Sequence, residues 1–178
     1  MKITISNLQK VGGWRIIYAK IIMRLFNFKQ RVDILDIASW FLSKESMSQK
    51  KLQKLCYYAE AWSQALRDKS IAERAEFEAW VHGPVNVELR REYASFGWEN
   101  IPKETPNYEL LSSEDGLVNL LESVWKTYGS QNGDSLEVLT HQETPWIEAR
   151  GATPEFKPCN KKISTKTMKD FYLSIYQK

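Results

Sequence analysis

The chain has 178 residues, 25 of them Lys or Arg and 22 Asp or Glu, a length that suits one domain with a small appendage. A hydrophobic share of 43% with seven Trp excludes wholesale disorder, and two cysteines (Cys56 and Cys159) are too few for a disulfide framework, so a reducing cytoplasm is expected. The formal charge of +3 hides an asymmetry: residues 1–32 hold seven basic groups and no acid, leaving 18 basic and 22 acidic groups in the rest, which argues against a nucleic-acid surface spread over the body.

Residues 14–28 (WRIIYAKIIMRLFNF) follow Gly12-Gly13 and read as an amphipathic helix. Lys20, Arg24 and Asn27 form its narrow polar stripe; Ile17, Ile21, Ile22, Leu25, Phe26 and Phe28 cover most of the remainder. Three readings stay open for it: a helix docked on the core, a partner-binding helix that includes Lys20 and Arg24, or a membrane-surface or nucleic-acid arm. Lys20 and Arg24 interrupt the apolar run that a secretory leader would need. No run of about 18 apolar residues occurs, so no membrane span is expected.

From Val32 to near Ser43, Val32, Leu35, Ile37, Ala38, Phe41 and Leu42 predict a second helix. Ser46 or Ser48 is placed to cap a third, whose stripe Leu52, Leu55, Cys56, Ala59, Trp62 and Leu66 steps by three and four. Lys50, Lys51, Lys54, Glu60 and Gln64 are expected on its solvent side. Phe77, Ala79 and Val81 alternate with Glu78 and Trp80 as in a strand, and His82-Gly83-Pro84 breaks it, with Pro84 expected to open a helix running to Gly97. Residues 98–112 read as a loop. A helix starting near Ser112 or Ser113 turns Leu117, Leu120, Leu121, Val124, Trp125 and Tyr128 inward and ends at Gly129. A short helix is expected around 135–139, another from Thr144-Pro145 to Gly151, and a last one capped by Ser164 or Thr165. The fold class is mainly α with a minor β element: a basic N-terminal extension (1–31) bearing the amphipathic helix, then one compact helical domain (32–178).

Chemistry-bearing motifs are sparse. The chain has no CxxC, no HExxH, no Gly-rich phosphate loop and no GxSxG elbow. Its two histidines, His82 and His141, would form a metal set with Glu143 only if the fold joined them, and the bland reading has each imidazole bonded to a turn backbone. No catalytic residue, metal ligand or cofactor is therefore assigned. Most aromatics fall on expected core faces. Tyr57 and Tyr58 point about 100° apart on a helix, so they are not expected to be equally buried. Trp98, just after Gly97, is the best candidate for an exposed anchor of the kind interfaces favour. The candidate partner contacts are Tyr57, Tyr58, Trp80, His82, Trp98, Lys20 and Arg24.

Three segments, KLQKLCYYAEAW (51–62), FEAWVHGPVNVELRREYASFG (77–97) and LTHQETPWIEARG (139–151), resemble the Panacea antitoxin domain family. The likeness covers roughly 33–176, with Cys56 where Leu is common, and leaves the first thirty residues outside. It implies a cytoplasmic, phage-associated type of protein, an antitoxin that neutralises a small protein toxin encoded beside it by direct contact. An adaptor that presents such a client to a protease is the alternative, and homo-oligomerisation stays open. Some members add a DNA-binding domain, for which this chain has no room. Gly83, Pro84, His141, Glu143, Pro145 and Trp146 would then be structural motif residues.

Overall fold

A computed structural model describes residues 30–177. The expected helix over 14–28, with Lys20 and Arg24, lies outside the described residues. Within them the order is α1 (Ile34–Lys44), β1 (Met47–Ser48), α2 (Gln49–Arg67), β2 (Glu78–Trp80), β3 (Gly83–Val85), α3 (Val87–Glu92), β4 (Asn100–Ile101), α4 (Tyr108–Ser112), α5 (Leu117–Tyr128), α6 (Gly133–His141), α7 (Thr144–Arg150) and α8 (Thr165–Tyr176). Eight α-helices and two two-stranded antiparallel sheets make it mainly α with minor β, as the sequence predicts.

The nineteen-residue α2 is the axis of the domain, about 28 Å long at 1.5 Å per residue. It starts where expected, with Ser48 Oγ accepting from the Lys51 amide. Helices α1, α5, α6 and α8 and the β3 strand all pack on it, so Lys51 to Ala61 is buried without a break. The sequence predicts one solvent-facing side, and the structure corrects this: Lys51, Lys54 and Glu60 are buried, whereas Leu66, assigned to the core stripe, is 46% exposed. The polar side is covered by backbone that supplies partners. Lys51 Nζ donates to Gly129 O (2.6 Å) and pairs with Glu45. Glu60 accepts from the Ile71 amide (2.8 Å), Ser70 Oγ (3.0 Å) and Gln64 Nε2 (2.6 Å), tying down the chain that leaves the helix. A helix buried all round keeps charged side chains only when each finds such a partner.

α1 opens on a capping box: Asp33 accepts from the Leu35 amide while Asp36 accepts from the Asp33 amide (2.8 Å). Arg74 forks onto the same Asp33 carboxylate at 2.6 and 2.7 Å. β1 pairs with β4 through Met47↔Ile101, a contact absent from the sequence reading of 98–112 as loop, which also omits the one-turn helix α4.

Pro84 does not open a helix. Gly83-Pro84-Val85 is a strand paired with β2 (Glu78↔Val85, Ala79↔Pro84, Trp80↔Gly83), and α3 begins at Val87, capped by Asn86. The Ala79 amide donates instead to Lys161 O (2.9 Å) and the Ala79 carbonyl accepts from Arg150, so no N–H is required of its partner Pro84. Elsewhere the boundaries shift by a residue or a few: α5 is entered from Gly116, α6 spans Gly133–His141 and Glu143 rather than Thr144 precedes α7, while Ser164 caps α8 as one of the two expected residues. No helix among the described residues is long and apolar enough to cross a membrane.

Candidate partner-binding groove

The three sequence segments singled out above meet around the β2–β3 hairpin. Gly83 has φ +86°, a conformation that glycine adopts without a side-chain clash. A Cβ there would lie 2.6 Å from Lys54 Cε and 2.8 Å from Thr140 Oγ1, so the hairpin turn is pressed onto α2 and α6. Asn86 then fixes the exit from the hairpin. Its Oδ1 accepts from the Leu89 amide (3.0 Å) and its Nδ2 donates to Arg74 O (2.6 Å) and Glu76 O (2.9 Å). Its backbone N–H and C=O both pair with the Gln53 side chain (2.8 and 3.0 Å). All five polar functions of this buried residue are satisfied, and sequence reasoning missed it.

The other face of the hairpin is held by α7. Trp146 Nε1 donates to Trp80 O (3.0 Å), and its indole is stacked on His141 at 4.0 Å and lies under the Arg150 guanidinium. Arg150, buried, donates to Ala79 O, Pro154 O, Glu155 O and Lys157 O at 2.6–3.1 Å, stitching the hairpin to the 154–157 loop. Glu143 accepts from Tyr172 Oη (2.7 Å) and Tyr58 Oη (3.3 Å), and burial pushes its carboxyl up to about 7 despite those bonds. Tyr58 is stacked face to face on Tyr128 at 3.9 Å.

These placements sort the candidate residues. Tyr57 and Tyr58 are both 0% exposed, which corrects the expectation that one of them faces outward and removes both from any surface of this structure. The cause is the all-round burial of α2. His82 and His141 do not bond turn backbones: His82 Nδ1 pairs with Glu137 Oε1 (2.9 Å), and His141 is stacked on Trp146, its acidity raised by burial. Glu143 is committed to tyrosines, so no His/His/Glu set forms, and no group of three or more potential metal ligands occurs among the described residues. Gly83, Pro84, Pro145 and Trp146 are buried within the scaffold. Trp98 is 89% exposed and Trp80 half-buried, and both line one groove with His82.

That groove has a volume of about 1290 Å³. It is walled by Trp80, Val81 and Val85 of the hairpin region, by Trp98 and by Pro158–Asn160, and floored by Gln53 and Lys54 of α2. Two helix N-termini open onto it, those of α2 (Ser48–Lys50) and α6 (Asn132–Asp134), each presenting its positive end. A charge cluster lies along one side of the groove. Lys50 pairs with Asp134 (2.8 Å) and Glu137 (2.6 Å), and Glu137 also meets His82. Burial works against the Glu137 carboxylate, but the Lys50 and His82 bonds hold it below its ordinary range. Burial pulls Lys54 down to about 7, with Glu137 acting in the opposite direction. The arrangement offers N–H donors and aromatic walls to an oxygen-bearing, partly apolar ligand, which is recognition chemistry.

A family model described as antitoxin SocA-like, Panacea domain, matches residues 52–147, more than half of the chain and the stretch from the start of the groove floor to the Trp146 prop. No curated protein and no solved structure matches the chain.

Proposed function

The chain belongs to the SocA-like Panacea antitoxin-domain family, and from that premise we propose that it neutralises a cognate protein toxin, encoded nearby, by binding it directly. The observation that carries the reading to a place on the molecule is Trp98: an indole 89% exposed at the edge of a large groove, where burial by a partner would desolvate it. The protein acts by occupancy and not by turnover. Its two histidines serve a hydrogen bond to Glu137 and an aromatic stack, and Cys56 is sealed in the core with its thiol pushed up by burial, so none of them supplies an activated nucleophile. It works in the cytoplasm, where its thiols stay reduced.

The test is genetic and then physical. A short reading frame beside this gene should be clonable only when this protein is co-expressed, and the two products should co-purify as a complex. Free recovery of that neighbour in the absence of this protein overturns the reading. Simultaneous binding of a protease subunit to the complex would convert the antitoxin into an adaptor that delivers the toxin.

A further inference from the structure

Lys54 is 1% exposed, yet it lines the groove and has no anion of its own. Its Nζ has one hydrogen bond, to Pro84 O at 3.2 Å, so its remaining N–H donors have no described protein acceptor. The nearby carboxylates are engaged elsewhere: Glu137 by Lys50 and His82, Asp134 by Lys50. Among the described residues no carboxylate lies within ion-pair distance of Lys54, nor of Arg90, which is exposed at the edge of the same groove. An ammonium removed from water is costly when its nearest carboxylate, Glu137, is already shared by Lys50 and His82, and here Lys50 and the two helix N-termini add to the positive potential around it. What lowers that cost is an incoming anion.

The size and walls of the groove say what carries the anion. A volume of about 1290 Å³ exceeds the ~300–1,000 Å³ typical of small-molecule pockets. Indole walls from Trp80 and Trp98, with Val81, Val85 and Pro158 beside them, demand apolar side chains next to the charge. We propose that this groove binds an acidic peptide segment of the partner protein, an Asp or Glu carboxylate accepting from Lys54 Nζ and facing Arg90 while its apolar neighbours pack against Trp80 and Trp98. The proposal rests on the antitoxin reading for what the partner is, but not for what the groove prefers.

A library of random short peptides displayed on phage is panned on the full-length protein, and the enriched peptides are synthesised and titrated by calorimetry. The expected result is enrichment of Asp or Glu next to an aromatic or aliphatic residue. Affinity should fall at least about tenfold when the peptide acid is replaced by its amide, and likewise in Lys54→Met and in Trp98→Ala. Trp98→Ala alters an exposed residue and keeps the test valid if Lys54→Met folds poorly. Bound peptide should also slow maleimide labelling of Cys159, which lines the groove, while the buried Cys56 stays unlabelled in either case. Selection of peptides lacking an acid, absence of enrichment over Trp98→Ala, or affinity unchanged by either substitution overturns the proposal. A neighbour-encoded toxin that binds without competing with the peptide overturns the groove assignment and leaves the antitoxin reading standing. Acidic peptides that bind as described while no neighbour is neutralised do the reverse.

Discussion

Replacing Gly83 by Ala tests whether the hairpin turn and the groove floor are one mechanical unit. The backbone at φ +86° costs an L side chain about 1–2 kcal/mol. The new methyl would sit 2.6 Å from Lys54 Cε and 2.8 Å from Thr140 Oγ1, far inside contact distance. The cheapest relief is for Lys54 to swing toward the groove and release Pro84 O, a loss of about 1 kcal/mol, while Thr140 turns away from its bond to Glu137 O. A smaller gain comes from the stiffer unfolded chain, about 0.4–1 kcal/mol, so the net destabilisation should be about 1–3 kcal/mol. For a domain of this size that lowers the melting midpoint by roughly 3–10 °C. Urea denaturation of the wild type, Gly83→Ala, Lys54→Met and the double variant separates the two contributions. In the Lys54→Met background the lost hydrogen bond is already absent, so the glycine substitution should cost about 1 kcal/mol less than in the wild type. A midpoint unchanged in Gly83→Ala refutes the backbone argument, and equal costs in both backgrounds refute the contact with Lys54.

Glu143, its carboxyl raised from 4.5 to about 7, keeps its proton in the fold where the unfolded chain has lost it. Its contribution therefore falls as pH rises from about 4.5 to about 7, by up to about 3 kcal/mol, and denaturant midpoints of Glu143→Gln should lack that slope. Lys54 has the opposite sign: with its folded value lowered from 10.5 to about 7, the unfolded chain binds the extra proton between those limits, so stability rises with pH above about 7. Lys54→Met should abolish the rise, measured as the difference in midpoint between about pH 7 and pH 9. Arg150→Met strands four carbonyl partners and should cost about 3–5 kcal/mol, with faster proteolytic nicking in the 154–157 loop than in the wild type.

Helix periodicity carried much of this fold because its long helices bury a defined face. Leu117, Leu120, Leu121, Val124 and Tyr128 of α5 are buried as their spacing predicts, with Trp125 half-buried; in α1, Ile37, Ala38, Phe41 and Leu42 are buried as expected, whereas Leu35 is half-buried and Ile34 and Trp40, outside the predicted stripe, are fully buried. The same reasoning failed in part on α2, where the stripe holds from Leu52 to Ala59 but Trp62 is half-buried and Leu66 exposed, and where the inference from the other face is wrong. Lys51, Lys54 and Glu60 look like solvent-facing charges because periodicity records polarity and not what lies opposite, and what lies opposite is the 129 carbonyl, the hairpin and the chain at 70–71. Pro84 misled for a similar reason: a proline reads as a breaker unless the register is known, and its tolerance depends on Ala79 bonding to Lys161. The groove is legible only in part. Trp98, Trp80 and His82 were singled out from the sequence, but Lys54, Arg90 and the Asn86–Gln53 pair come together through contacts far apart in the chain.

The buried polar contacts of this domain divide it into a frame and an edge. Asn86 and Arg150 each hold several carbonyls of other segments, and Trp146 ties α7 to the hairpin through Trp80 O and its stacking on His141, so replacing Asn86 or Arg150 loses several bonds together. These residues lie in the segments 77–97 and 139–151, and with Gln53 and Lys54 of 51–62 they set the shape of the groove floor. Trp98, Asn132, Asp134 and Pro158–Asn160 lie outside those segments and form much of the groove's edge; Trp98 itself makes no hydrogen bond given by its indole among the contacts that hold the frame. Substitution of Trp98 removes little from the fold, as exposed side chains away from caps and buried networks generally cost within about 0.5 kcal/mol, whereas Asn132 caps α6 and Asp134 pairs with Lys50. A scaffold so divided can change the chemistry presented at the groove's edge while its interior stays fixed. The buried ammonium of Lys54 belongs to the fixed part, and the indole of Trp98 to the part free to vary.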